Sequence, residues 1–104
     1  MAKFLLAYTG GSTPGSPEEQ QKVMEAWMGW FGTLGDAVTD MGNPFAGACS
    51  VAADGAVSDG GKAGLTGYSI IEAADLAEAA AKAKGCPVLA NGGGIEVYEA
   101  APIM

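Results

Sequence analysis

The chain contains no histidine and no arginine among its 104 residues. Without histidine, neither a Ser-His-Asp nor a Cys-His arrangement can be assembled within one chain. His-ligated zinc is excluded as well, and two cysteines cannot complete a four-ligand zinc site. Without arginine there is no bidentate fork for a phosphate or carboxylate. Positive charge is scarce altogether. Five lysines (Lys3, Lys22, Lys62, Lys82 and Lys84) face 12 acidic residues, for a net charge of -7. Nucleic-acid binding draws on clustered basic groups that displace counterions from phosphates, and no such cluster exists here. The same deficit disfavours anionic membrane surfaces. Long hydrophobic runs are also missing: the apolar stretch Phe4 to Tyr8 is too short for a signal peptide or a membrane span. Cys49 and Cys86 lie far apart in sequence and read as two buried free thiols in a reducing cytoplasm, with a single disulfide as the alternative.

What the chain does have is apolar material, 49% of its residues. That suffices for one core, and residues 1–104 read as a single domain. Lys3 to Tyr8 forms a strand, with Phe4, Leu6 and Tyr8 on one face and Leu5 and Ala7 on the other. A glycine loop, Gly10 to Gly15, follows. Ser16-Pro17-Glu18-Glu19 then opens a helix through an N-cap serine, a proline at the first helical position and a capping-box glutamate. The helix runs to Leu34 or Gly35. Val23, Trp27, Trp30, Phe31 and Leu34 form its core face, and Met24 and Met28 widen that face. Asp40 to Pro44 is a turn. Phe45 to Ala53 reads as a weak second strand, turned at Asp54-Gly55 and returning through Ala56 to Ser58. Tyr68 to Ala73 is the next clear strand. Asp75 caps a second helix, with Glu78 at the capping-box position and also paired to Lys82, Leu76, Ala79, Ala80 and Ala83 inward, and Gly85 as its stop. Cys86 to Leu89 leads into the loop Asn91 to Gly94, and Ile95 to Glu99 is the last strand.

The order strand, helix, strand, strand, helix, strand implies an α+β, ferredoxin-like βαββαβ fold. Its antiparallel sheet carries two helices on one face. The strands are apolar on both faces, yet two helices cover only one. An open apolar sheet face is a patch that soluble monomers avoid. The expectation is therefore a homodimer joined sheet to sheet, a dimeric α+β barrel.

Candidate site residues are few. The spacing of Gly10 and Gly15 resembles a phosphate loop, but Ser16-Pro17 follows where Lys-Ser or Lys-Thr is needed, and Glu18 and Glu19 occupy the helix end where an anion would sit. No cofactor and no metal are expected. Trp27 and Trp30 read first as core packing; alternatively, Trp27 lines a pocket between the first helix and the sheet with Met24 or Met28. Asp36, Asp40 and Asp59 read as turn or surface carboxylates. If Asp40 and Asp59 converge, they could serve as acid and base or hold a hard cation. Cys86 follows a helix C-terminus, a poor place for an activated thiolate.

Several stretches, taken in order, resemble the YCII-related group of small bacterial proteins, which includes the DGPF proteins. They are the opening Lys3-Phe4-Leu5-Leu6-Ala7-Tyr8, the Trp-rich first helix, Ser58-Asp59-Gly60, Leu65-Thr66-Gly67-Tyr68-Ser69-Ile70, and the ending Gly93-Gly94-Ile95-Glu96-Val97-Tyr98-Glu99. The resemblance implies a ferredoxin-like fold dimerising into an α+β barrel. It also implies, for some members, lactone-isomerase-like or dehalogenating chemistry by a His–Asp pair. With no histidine, that mechanism does not carry over, and Gly61-Lys62 stands where the DGPF motif has Pro-Phe. Two functional expectations result. One is a small-molecule-binding module with a pocket lined by Tyr8, Trp27 and Tyr68, and with Asn43, Asp40 or Asp59 as polar contacts. The other is a lyase or isomerase using Asp40 or Asp59 as general base.

Overall fold

The computed structural model describes residues 2–10, 15–61, 64–90 and 92–101. Along the chain run β1 (Ala2–Thr9), α1 (Pro17–Leu34), a 3-10 turn (Gly35–Ala37), β2 (Val38–Asp40), β3 (Cys49–Val51), β4 (Val57–Asp59), β5 (Leu65–Ala73), α2 (Leu76–Ala83), the single-turn α3 (Pro87–Ala90) and β6 (Gly94–Glu99). Four strands make an antiparallel sheet in the order β2-β5-β1-β6, while β3 and β4 pair apart from it as a hairpin. With the hairpin set aside, this is the ferredoxin-like strand order, and the expected α+β class holds. Parts of the expected loops (residues 11–14, Lys62 and Ala63, Asn91) and the tail from Pro102 lie outside the described residues.

Local chemistry explains both main helices. Ser16 Oγ accepts the Glu19 N–H at 3.2 Å, and the Glu19 carboxylate reaches back to the Gly15 N–H at 2.9 Å, which satisfies donors the first turn leaves free. At α2, Asp75 Oδ1 accepts the Glu78 N–H at 2.8 Å and Glu78 returns to the Ala74 N–H at 3.2 Å. The Glu78 carboxylate is thus engaged in the expected capping box, and its additional pairing with Lys82 is not seen. The helices are locked together by Trp30, whose indole N–H donates to the Lys82 carbonyl at 3.1 Å. Gly85 leaves room for that ring: a Cβ there would stand 3.1 Å from the indole.

The sheet divides the molecule into a covered and an uncovered side. Register sets Phe4 opposite Ile71, Leu6 opposite Ser69 and Val97, and Tyr8 opposite Gly67 and Ile95. Phe4, Leu6, Tyr8 and Ile71 pack with Trp30, Ala79, Ala83, Cys86 and Val88 into one buried core beneath the helices. The alternate positions form the other face. Leu5 lies opposite both Ile70 and Tyr98, and Lys3 opposite Glu72. Leu5 is 37% and Tyr98 51% exposed, so an apolar band crosses three strands with no helix of the described residues over it.

Several expectations are corrected. The second strand of the sheet is Val38–Asp40, not Phe45–Ala53; the latter segment contributes only Cys49–Val51, in the separate hairpin. Val38 and Thr39 are β-branched and suit a pleated edge, whereas Phe45–Ala53 is rich in Ala and Gly and has little to bury. The Asp54-Gly55 turn does form, with Asp54 Oδ1 accepting the Ala56 N–H at 2.9 Å. Leu76 and Ala80 are exposed, so α2 buries only Ala79 and Ala83. Cys86 is buried as expected, but Cys49, on the hairpin, is exposed, and both thiols are free. The segment after Cys86 coils into α3 where a plain lead into the loop was expected.

The residues after β2 continue along the edge of β5. The Tyr68 N–H donates to the Asn43 carbonyl at 3.3 Å and the Phe45 N–H to the Thr66 carbonyl at 2.9 Å, around a bridge between Pro44 and Gly67. This close approach needs glycine at position 42. Gly42 has φ +76°, and a Cβ there would overlap the Tyr68 carbonyl oxygen. Gly42→Ala therefore costs at least about 2 kcal/mol, measured as a lowered urea midpoint with the m-value unchanged.

Candidate functional site

Between the apolar face of α1 and the sheet near β2 there is a gap, where the sheet residues are small or polar. Gly67 has no side chain, Ser69 is short, and the loop from Met41 to Pro44 runs at the border. The result is a cavity of about 520 Å³. From α1 it is lined by Met24, Trp27, Met28 and Phe31; from the loop by Met41, Gly42, Asn43 and Pro44; from the sheet by Tyr8, Thr66, Gly67, Tyr68 and Ser69; and from α3 by Val88. Its volume falls in the usual range for small-molecule pockets, and its walls are mostly apolar with a few neutral polar groups.

Aromatic contacts fix the helical wall. Trp27 meets Tyr8 edge-on, with ring centroids 5.1 Å apart, and packs against Trp30 at 5.8 Å and Phe31 at 5.9 Å. Edge-to-face pairs of this kind hold ring orientation as well as burying area. Phe45 stacks on Tyr68 at 5.8 Å on the loop side.

A short hydrogen-bond chain fixes the floor. The buried Tyr8 hydroxyl donates to Ser69 Oγ at 2.6 Å, and Ser69 Oγ donates to the Met41 carbonyl at 2.6 Å. Three segments are thereby joined: β1, β5 and the loop after β2. Burial pushes the Tyr8 phenol well above its ordinary range; the hydrogen bond from Tyr8 to Ser69 opposes that, and the neighbouring Cys86 thiol adds to it. Tyr8 is accordingly a neutral donor and not a base. Burial also pushes the Cys86 thiol up, to about 11, so it carries no thiolate near neutrality.

Tyr8, Trp27, Asn43 and Tyr68, the four residues singled out from sequence as pocket residues, all border this cavity, but Tyr68 does so from the strand itself, because its side chain alternates with Gly67 and Ser69 onto the face of Leu5 and Ile70. The two aspartates do not come together. Asp40 ends β2 in the four-stranded sheet, opposite Ile70, and its carboxylate accepts the Gly42 N–H at 2.8 Å. Asp59 ends β4 in the hairpin, opposite Cys49. Both are exposed and neither lines the cavity. Asp36 follows α1 in the 3-10 turn and is also exposed. Among the described residues no cluster of cysteine and carboxylate side chains could hold a metal ion, and no helix is long and apolar enough to cross a membrane. Sequence reasoning named Asn43 but missed Ser69, Gly67 and the neighbours of Asn43 in that wall, Met41, Gly42 and Pro44. The signal that could have found the floor is a serine on the core-facing side of β5, where a buried polar group needs a partner.

The Cys86 thiol ionises near 9.0 in the unfolded chain and near 11 in the folded one. Between those values the folded state holds more protons, so stability is full below pH 9.0 and falls as pH rises toward 11. The loss is on the order of 2 kcal/mol, with Tyr8 adding to it at still higher pH. Denaturant titrations from pH 7 to 11 show that decline, and Cys86→Ala shows a shallower one.

A family model for the YCII-related domain matches residues 4–103. No curated protein and no solved structure matches the chain.

Proposed function

The chain belongs to the YCII-related family, and on that premise we propose that it is a homodimeric protein that binds a small, weakly polar molecule in the cavity beneath α1. The observation that carries this reading is the convergence of Tyr8, Trp27 and Asn43, from β1, α1 and the loop after β2, on one space of about 520 Å³, with the β5 segment from Gly67 to Ser69 along its border. A core built for packing alone is filled to the density of an organic crystal. This one leaves room beside the rings of Tyr8, Trp27 and Phe31. Trp27 and Tyr8 supply the wall and Asn43 a polar contact near the loop.

The dimer part of the proposal rests on the uncovered sheet face, where Leu5, Ile70 and Tyr98 lie side by side. A second copy set face to face would remove that band from water. A reducing compartment such as the cytoplasm suits two unpaired thiols, one of them exposed.

A second reading, a lyase or isomerase, is favoured by one placement: Asp40 stands two residues before Gly42, which lines the cavity. A modest shift of the loop would bring its carboxylate to a bound molecule as general base. Asp59, at the end of β4 in the hairpin and not among the cavity's lining residues, is the other candidate base.

The neutral fluorescent probe N-phenyl-1-naphthylamine tests the binding reading. It binds saturably at one site per chain, and Trp27→Ala weakens it at least tenfold. Asp40→Asn and Asp59→Asn leave its affinity within a few fold; in an enzyme using either residue as base, the same variants abolish turnover of the substrate. Sedimentation equilibrium gives twice the chain mass at micromolar concentration, and Ile70→Lys gives the single-chain mass. Absence of saturable probe binding refutes the cavity as a site, and a wild-type monomer refutes the dimer.

A further inference from the structure

The chain has five methionines, of which Met1 and Met104 are its ends. The three internal ones, Met24, Met28 and Met41, all line the same cavity. They are 67%, 59% and 52% exposed. Methionine is ordinarily buried in cores, so three thioethers on one rim, each more than half in solvent, are not there to fill the interior. Met24 and Met28 lie one turn apart on α1 and share a side of that helix. Met41 comes from the loop after β2, and its carbonyl is the acceptor that ends the hydrogen-bond chain from Tyr8. The rim is therefore flexible and polarisable, while the wall behind it, Trp27 with Tyr8 and Phe31, is held by ring contacts.

Charge narrows the occupant further. Among the described residues lining the cavity there is no lysine, aspartate or glutamate. An ion entering it would lose hydration and gain no partner. The protein's net charge of -7 opposes an anion at longer range as well. The hydroxyls of Tyr8 and Ser69 already donate within the protein, which leaves the Asn43 carboxamide as the group best suited to a ligand's polar atom. Thioethers contact aromatic rings favourably and adapt to their outline.

We infer that the cavity takes a neutral, flat aromatic molecule with one hydrogen-bonding group, held between the methionine rim and the Trp27 wall. The inference rests on the cavity being a binding site, as proposed above, and adds the chemical class of its occupant.

Three probes of one skeleton test it on the full chain by quenching of tryptophan fluorescence and by calorimetry. They are 2-acetylnaphthalene, its saturated counterpart 2-acetyldecalin, and the anion 2-naphthoate. The expected order has 2-acetylnaphthalene at least tenfold tighter than either of the others. The double variant Met24→Leu/Met28→Leu keeps apolar volume and helix propensity. It weakens 2-acetylnaphthalene at least threefold and leaves 2-acetyldecalin within twofold. Equal or tighter binding of 2-acetyldecalin or 2-naphthoate overturns the inference, as does a double variant that binds 2-acetylnaphthalene like the parent. If N-phenyl-1-naphthylamine still binds in those cases, only the ligand class falls. If none of the four probes binds, the binding-site reading falls with it.

Discussion

A serine hydroxyl in the middle of the sheet ties the fold to its cavity. Ser69 sits where an apolar residue would pack, opposite Leu6 and fully buried. Its oxygen accepts from the Tyr8 hydroxyl and donates to the Met41 carbonyl. Each of these groups would be costly to bury alone, and each satisfies the next. In the low-dielectric interior the chain of bonds fixes where the loop after β2 runs. That loop in turn forms one side of the space beneath α1. With a larger apolar residue at 69, the floor would be filled and the loop carbonyl left without its partner.

The rest of the architecture follows from how little covering material the chain has. One sheet of four strands presents apolar side chains on two faces. Helices α1, α2 and α3 lie on one of them. On that side small residues along β5 and an aromatic helix face leave a gap; on the other, Leu5, Ile70 and Tyr98 have no helix above them. The two features belong to the same economy of side chains. Alanine-rich α2 buries Ala79 and Ala83 in the core, while Trp27 and Phe31 of α1 border the gap near β2.

Much of this was legible in the sequence because it is written in short-range chemistry. The capping residues Ser16, Glu19, Asp75 and Glu78 act within one helical turn, and the alternation along Phe4 to Tyr8 states which side chains share a face. Trp27 and Tyr8 were recognisable as one wall because both carry large rings at core-facing positions. What escaped was set by pairing between distant segments. Val38 to Asp40 is only three residues long, and nothing local distinguishes an edge strand of that length from the end of a turn. Phe45 to Ala53 looked the better strand by composition, but its glycine and alanine content left it in a hairpin of its own. The aspartates were attractive because they flank glycine turns. Only the sheet assignment shows that Asp40 and Asp59 belong to different pairings.

The most direct test of the account is a double-mutant cycle on Tyr8 and Ser69, read by urea denaturation. Ser69→Ala should cost about 1–3 kcal/mol, because it strands the Tyr8 hydroxyl and the Met41 carbonyl in the interior. Adding Tyr8→Phe to Ser69→Ala should cost little more, since one buried donor is then gone, which makes the two changes strongly non-additive. If Ser69→Ala is as stable as the parent, or if the two substitutions simply add, the hydrogen-bond chain is not what holds the loop and the cavity in place.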